Sequence, residues 1–185
     1  MARELIGKRV AFLVANVGVE QVELTDPWQA VQEGGGEPVL LAPKMSLIQA
    51  MNGPVEKADT FDPDQTVDNV SSVEFDGLIL PGGVANPDKL RTVPAAVDLV
   101  NSFMRAGKPI ASICHGPWML VEADVVRGKT LTSWPSLKTD IRNAGGTWQD
   151  AEVITSDENG WTLVTSRRPG DLPAFNQAAI KAFAG

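Results

Sequence analysis

The sequence predicts an α/β fold built on a mostly parallel β-sheet. Short apolar runs typical of buried strands alternate with amphipathic stretches typical of helices along the whole chain. Glycine-containing stops separate these runs, and the 185 residues, 43% hydrophobic and 21% charged, have an ordinary globular composition. Because no repeat, low-complexity tract or linker interrupts the pattern, we expect a single domain over residues 1–185.

The first half of the chain predicts three buried strands and two helices. The strands are VAFLVA (10–15), PVLLA (38–42) and FDGLIL (75–80), and the helices run from about Leu24 to Glu33 and from Pro94 to Ala106. The first helix should end at the glycine triplet 34–36, whereas the second has proline in its first turn and Gly107 as its cap. Residues 43–74 are polar and irregular, with β-like pieces at 47–51 and 54–58.

The second half continues the alternation of strands and helices. The predicted elements are a strand PIASI (109–113), a helix opened by Gly116-Pro117 and ending near Ala123, a helix over Ser136–Ala144, two strands AEVIT (151–155) and WTLVTS (161–166), and a closing helix over Leu172–Ala184. The residues between the last two strands, 157–160, read Asp-Glu-Asn-Gly, which is typical of a hairpin turn.

Composition and charge exclude several classes of function. The formal net charge of −7 disfavours nucleic acid and anionic membranes as partners. The single cysteine cannot form an internal disulfide, and the first apolar run is too short for a signal peptide or a membrane span, so we expect a cytoplasmic protein. One cysteine beside one histidine cannot supply a typical set of zinc ligands, and we expect neither a metal nor a cofactor.

The neighbours Cys114 and His115 form the candidate catalytic centre. Cys114 lies where a strand turns into a helix, and ligands of open α/β sheets bind beyond the carboxyl ends of strands. The helix dipole and free N–H groups are expected to lower the pKa of the thiol. Although free cysteines are most often buried structural residues, this position favours a nucleophile. The loop Pro81-Gly82-Gly83 follows another strand and suits an oxyanion hole together with the N–H of His115, although alone it would be interpreted as a tight turn.

The motifs ICHGP and PGG resemble those of the PfpI (intracellular protease I) family. This family belongs to the class I glutamine amidotransferase-like superfamily and is related to the parkinsonism-associated deglycase. Segments similar to the family occur in its order along nearly the whole chain, at 19–24, 75–83, 107–120, 125–146 and 163–176. The resemblance implies a three-layer sandwich of the flavodoxin-like, class I glutamine amidotransferase-like type, with helices on both faces of the sheet.

The resemblance also implies roles for individual residues. Cys114 is implied as the nucleophile, His115 as its base, and Glu23 as the carboxyl group that hydrogen-bonds the sulfur. Gly83 and His115 match the N–H donors of the oxyanion hole. Asp88, where close relatives have glutamate, matches an acid that orients the histidine across a homodimer interface. From the residues alone, the favoured interpretation is that Glu23 faces water before a helix.

Two functions remain open from the sequence. The first is a stress-protective cysteine-dependent hydrolase or lyase, acting like a deglycase or glyoxalase on small carbonyl compounds in preference to peptides. The second is a redox-responsive general stress protein whose Cys114 is oxidised to sulfenate and sulfinate, with little turnover. A glutamine amidotransferase is excluded because its chemistry needs a histidine distant from the nucleophile, and the chain has none. Trp118 and Trp134 are interpreted as core or interface residues, with a role of Trp118 in narrowing the pocket left open.

Overall fold

Twelve strands and six α-helices make up the part of the chain, residues 4–185, that the computed structural model describes. The strands are β1 (Arg9–Leu13), β2 (Val17–Glu20), β3 (Glu37–Ala42), β4 (Ile48–Asn52), β5 (Glu56–Phe61), β6 (Gln65–Thr66), β7 (Gly77–Leu80), β8 (Ile110–Ile113), β9 (Thr130–Leu131), β10 (Thr147–Trp148), β11 (Val153–Ser156) and β12 (Leu163–Ser166). The helices are α1 (Gln21–Glu33), α2 (Ala85–Leu90), α3 (Pro94–Arg105), α4 (Trp118–Glu122), α5 (Lys138–Asn143) and α6 (Leu172–Ala184).

Seven of these strands form the central sheet, in the order β11-β12-β8-β7-β1-β3-β6. All neighbours in this sheet are parallel except β11 and β12, which form the expected antiparallel pair. Strands β2, β4 and β5 form a small mixed sheet, and β9 and β10 form a parallel pair. The predicted α/β class with a mostly parallel sheet is therefore confirmed.

Helices cover both faces of the central sheet, which makes the molecule a three-layer sandwich. In β7, Leu78 and Leu80 pack into the core that holds Phe103 of α3, whereas Ile79 packs into the core that holds Phe175 of α6. This follows from the twofold alternation of side chains along a strand. Since every residue of β7 and β8 is buried, these strands read as continuous apolar runs rather than alternating ones.

Several boundaries differ from the prediction. Helix α1 begins at Gln21, three residues before the expected start. In these three residues the apolar Val22 is exposed and the polar Glu23 is buried, so they show no apolar periodicity that would mark them as helical. The second β-like piece lies at Glu56–Phe61 instead of 54–58, since Gly53, with φ 71°, sits in the turn that precedes it. Part of the expected helix over 136–144 is a 3₁₀ turn, Pro135–Leu137, followed by α5. The short elements β2, β6, β9, β10 and α2 were not predicted.

The topology brings two loops together at one edge of the sheet. The chain passes from β1 to β3 and β6 on one side, then returns to β7, β8 and β12 on the other, so the order reverses beside β1. Ligands of open α/β sheets bind at such a point. Cys114 follows β8 and the loop Pro81–Gly83 follows β7 at this edge. None of the helices in residues 4–185 combines the length and apolar character that a bilayer span requires.

Candidate active site

Cys114 occupies a strained turn between β8 and α4. Its φ of 61° places a non-glycine residue in the left-handed region, which is sparsely populated and is enriched at functional sites. The turn is held by backbone hydrogen bonds on both sides: Cys114 N donates to Ser166 O at 3.0 Å, and Trp134 N donates to Cys114 O at 2.8 Å. The residue is 5% exposed, so its sulfur is shielded from bulk water.

Glu23 lies beside the thiol and does not face water. The residue is 0% exposed, and its Oε2 accepts a hydrogen bond from Gly82 N at 2.9 Å. Burial raises the pKa of this carboxyl to about 8, while contacts with Cys114 and with the Gly82 N–H oppose the rise. Glu23 is therefore largely protonated at neutral pH. Its other oxygen, Oε1, has no hydrogen-bond partner in residues 4–185.

The pKa of the Cys114 thiol is raised, which corrects the expected direction. Burial is the largest cause, and the neighbouring Glu23 carboxylate adds to it, whereas the backbone N–H groups of Gly83 and His115 act in the opposite sense. Helix α4 has only five residues, so its dipole is small. The resting cysteine is thus a thiol, and an attack on a substrate requires a base to remove its proton.

His115 is placed to be that base. Its Nδ1 lies 3.2 Å from Cys114 Sγ, and burial lowers the pKa of the imidazole to about 4. The ring is therefore neutral at neutral pH and has a lone pair free on one nitrogen, while the same burial makes it a weaker base than a solvent-exposed histidine. It lies between two indoles, with centroid distances of 5.4 Å to Trp118 and 5.6 Å to Trp134, and the second pair is nearly parallel at 23°. Its Nε2 lies 3.5 Å from Ser136 Oγ.

The two backbone groups predicted for an oxyanion hole converge on the sulfur. The N–H groups of Gly83 and His115 both hydrogen-bond Cys114. Gly83 has φ 83°, and a Cβ there would overlap Gly18 O, so only glycine suits this position. The loop is fixed by Asn86, a 0% exposed residue whose side chain accepts from Ala15 N at 2.7 Å and donates to Pro81 O at 2.9 Å.

Asp88 is not brought to the site within the chain. It is exposed on α2, and within residues 4–185 the hydrogen-bond neighbours of the His115 ring are Cys114 and Ser136. Its predicted role across a homodimer interface stays a prediction. Among the described residues, no three His, Cys, Asp or Glu side chains are grouped closely enough to hold a metal ion.

Sequence reasoning missed three residues of the site. Ser136 and Asn86 lie 21 and 28 residues from His115 and Cys114 in the sequence, and no motif marks them. Trp134 is interpreted from the sequence only as a packing residue, yet its ring stacks on the His115 imidazole and the residue is 39% exposed. The family resemblance was the one signal that could have pointed to two of these residues, because the similar segment at 125–146 contains both Trp134 and Ser136.

Comparison with known proteins identifies the family that the chain resembles along nearly its whole length. Residues 8–182 match the DJ-1/PfpI family. Deglycase PH1704 of Pyrococcus horikoshii is 40% identical over 94% of this chain and 98% of its own length. General stress protein 18 of Bacillus subtilis is 36% identical over 95% of this chain and 97% of its own.

A solved structure shows the same fold at a useful level of identity. It is a two-domain protein from Anabaena variabilis with DJ-1/ThiJ/PfpI-like and ferritin-like domains, 34% identical, with a TM-score of 0.85. The match covers 94% of this chain and 47% of that one, so the chain spans about half of the two-domain protein. With a family match over nearly its full length and relatives at this identity, the chain belongs to the DJ-1/PfpI family.

Proposed function

We propose that the chain is a cysteine-dependent hydrolase or lyase that acts on small carbonyl compounds in the manner of a deglycase or glyoxalase. One observation carries the proposal: Cys114 Sγ lies 3.2 Å from Nδ1 of a neutral His115. Two backbone N–H groups meet at the same sulfur, so a nucleophile, a base and donors for an oxyanion share one point.

The chemistry follows from these positions. Cys114 Sγ bonds to the aldehyde carbon of a 2-oxoaldehyde, the C=O π bond breaks, and the thiol proton passes through His115 Nδ1 to the new oxygen. The developing oxyanion receives the N–H groups of Gly83 and His115. The hemithioacetal C–H hydrogen moves with its electron pair to the neighbouring carbonyl carbon, and the hemithioacetal hydroxyl proton moves to the oxygen of that carbon, which gives a 2-hydroxy thioester. One water molecule then hydrolyses the thioester to a 2-hydroxy acid and the free thiol. The net reaction consumes one water and needs no oxidant.

The enclosure of the site favours small substrates over folded proteins. Cys114 and His115 are 5% and 6% exposed, so a reactive group must enter a nearly buried site to reach the sulfur, which a small molecule does more easily than a peptide bond of a folded protein. The name of the relative from Pyrococcus horikoshii, a deglycase, agrees with small glycation products and reactive aldehydes. We rank methylglyoxal and glycated amino acids or thiols above peptides.

The proposal is tested with a substrate panel of methylglyoxal, glycated amino acids and a fluorogenic peptide. We expect turnover of methylglyoxal or a glycated compound by the wild type and a loss of about a hundredfold or more in Cys114→Ser. Ser102→Ala, a half-buried helix residue on α3, serves as the matched control and should retain full activity. Equal turnover by wild type and Cys114→Ser would show that the sulfur is not the nucleophile.

A second candidate function uses the same thiol. The relative named General stress protein 18 supports a redox-responsive role, in which peroxide oxidises Cys114 to sulfenate and then sulfinate. Because the chain has one cysteine, no internal thiol can resolve the sulfenate as a disulfide. Burial and the raised pKa of the thiol slow this oxidation, so we place it second.

The His115→Ala variant separates the two functions. We expect it to lose turnover by about a hundredfold or more, because the thiol then lacks a base, while oxygen addition to Cys114 by mild peroxide continues. Steady-state kinetics and intact-mass spectrometry of the same preparation measure the two effects. Unchanged turnover would refute His115 as the base, and an absence of oxygen gain in the wild type would refute the redox role.

A homodimer would supply the acid that the chain lacks at His115. Asp88 is exposed near the start of α2, one helical turn from the loop that carries Gly83. We keep the assembly as a proposal, in which Asp88 of a second copy approaches the His115 ring. Sedimentation velocity of the wild type measures the assembly, and a monomer at assay concentration would rule out this role.

A further inference from the structure

We infer that Trp134 is a specificity-determining residue whose exposed indole selects 2-oxoaldehydes with an aryl substituent over methylglyoxal. The inference rests on the proposed function, since it names the substrate class that the same cysteine takes. It starts from two exposed apolar side chains at the site, Trp134 and Val84, for which the mechanism has no use.

The indole of Trp134 adjoins the catalytic pair. It stacks on the His115 imidazole, with 5.6 Å between the ring centroids, and Nδ1 of that imidazole lies 3.2 Å from Cys114 Sγ. Trp134 N donates to Cys114 O at 2.8 Å. Its carbonyl oxygen accepts from Ser133 Oγ at 2.8 Å and from Leu137 N at 3.1 Å. The backbone of Trp134 is therefore held on both sides, which keeps its ring beside the nucleophile.

The inner side of the sulfur is closed to a large substituent. Glu23 is buried there, and the loop after β7 packs so tightly that a Cβ added at Gly82 would lie 2.5 Å from Glu23 Oε2 and 2.6 Å from Cys114 Cβ. The N–H groups of Gly83 and His115 receive the substrate oxygen in the proposed reaction. A substituent larger than a methyl group therefore extends toward the exposed side of the site.

That exposed side is apolar. Trp134 lies there with its stacked imidazole, and Val84, which directly follows the oxyanion donor Gly83, is 47% exposed. Exposed apolar surface beside a nearly buried nucleophile is typical of a ligand-binding site. An aryl substituent gains aromatic contact with the indole and loses its own contact with water, whereas the methyl group of methylglyoxal has no ring to stack.

The second indole beside His115 is less available to a substrate. Trp118 is half-buried, and its Nε1 donates to Asp140 Oδ2 at 2.8 Å. The guanidinium of Arg91 lies over its ring, 5.8 Å from the centroid. Protein groups thus occupy one edge and one face of this ring. We therefore assign the selection to Trp134.

Steady-state kinetics with phenylglyoxal and methylglyoxal test the inference. The difference in their intrinsic reactivity cancels when the ratio of their kcat/KM values is compared between wild type and variant. We expect the phenylglyoxal-to-methylglyoxal ratio to fall about tenfold in Trp134→Ala and to stay near the wild-type ratio in Trp134→Phe, which keeps a flat ring. A purely structural role of Trp134 would lower both rates together and leave the ratio unchanged. Val73→Ala, at an exposed apolar position near the amino end of β7, is the matched control.

Alkylation of the lone cysteine provides a second measurement that needs no turnover. The probes are phenacyl bromide and bromoacetone, which carry the same phenyl and methyl substituents on a ketone. The sulfur bonds to the CH₂ carbon, the C–Br bond breaks, and bromide and the thiol proton leave. Because the chain has one cysteine, intact-mass spectrometry follows the adduct, and Cys114→Ser corrects for reaction elsewhere. We expect the phenacyl-to-acetonyl rate ratio to fall about tenfold in Trp134→Ala.

The alkylation ratio decides the role of Trp134. If it is the same in Trp134→Ala and in the wild type, the inference is overturned whatever the kinetics show. Trp134→Leu, which keeps apolar bulk without a flat ring, should show the same fall and replaces the alanine variant if that variant does not fold. If the wild type turns over neither aldehyde, the proposed function fails, while the alkylation ratio still tests the selection by the indole.

Discussion

Raising the pH from 6.5 to 8 is expected to lower the free energy of unfolding by about 1 kcal/mol, and the Glu23→Gln variant is expected to lack this loss. The effect originates in the buried carboxyl beside the nucleophile. Burial raises its pKa to about 8 in the native protein, against an ordinary value of 4.5. The native state therefore keeps a proton that the unfolded chain has released.

The direction of the effect follows from proton linkage. Between pH 4.5 and 8 the native state binds more protons than the unfolded state through Glu23, so stability is highest at low pH and falls as the pH rises. His115 acts in the opposite sense, because its native pKa of about 4 lies below the ordinary 6.5. The stability that it contributes is present above pH 6.5 and is lost as the pH falls toward 4. The two contributions largely cancel below pH 6.5, and Glu23 dominates above it.

Urea unfolding at pH 6.5 and pH 8 measures this difference. The thiol of Cys114 does not interfere, since its ordinary value is 9.0 and its native pKa is higher. Glutamine keeps the acceptor for the Gly82 N–H and removes only the titration. Glu33→Gln, at an exposed position of the same helix, is the control and should keep the wild-type loss. A loss of about 1 kcal/mol in Glu23→Gln would show that another group titrates in this window.

Much of the fold could be predicted because its signals are local. The buried strands β1, β3, β7 and β8 are continuous apolar runs, and the strand-to-helix turn after β8 marks the nucleophile within a few residues. Helix α2 and the two-residue strands have no such periodicity. Helix α2 is stabilised by hydrogen bonds of Asn86, and the two-residue strands are stabilised by pairing with strands distant in the sequence. A local sequence pattern contains no information on such long-range contacts.

The sequence predicted which residues form the site, but it predicted the wrong direction for the pKa shift of the Cys114 thiol. Position after a strand indicated Cys114, His115 and Gly83, whereas Glu23 was implied only by the family resemblance. The structure brings these four residues together. The pKa of the thiol depends on how completely three layers exclude water from it, and exposure is a property of the assembled fold. A strand–helix turn at the surface would have lowered that pKa, whereas the same turn buried beside a carboxyl raises it.

Gly82→Ala is expected to destabilise the protein by about 3 kcal/mol and to reduce turnover by about a hundredfold. Added at this position, a Cβ would lie 2.5 Å from Glu23 Oε2, 2.6 Å from Cys114 Cβ and 2.8 Å from Ile113 O. Two of these three atoms are backbone or the first carbon of a side chain, which cannot move without moving the strained turn. The loops after β7 and β8 must separate, and the oxyanion donors and the carboxyl then leave the sulfur.

Gly170→Ala is the control for this substitution, since a Cβ at Gly170 has no neighbour within 4 Å. Neither glycine has a positive φ, so the two variants differ in packing and not in backbone preference. Urea unfolding and methylglyoxal turnover, measured on both variants, separate the two contributions of Gly82. If Gly82→Ala has the same free energy of unfolding and the same rate of methylglyoxal turnover as Gly170→Ala, the close approach of the two loops is not needed to assemble the site. A stable but inactive Gly82→Ala would instead show that the contact matters more for catalysis than for folding, because the fold would remain stable with the loops separated while Cys114 would lose its reactivity.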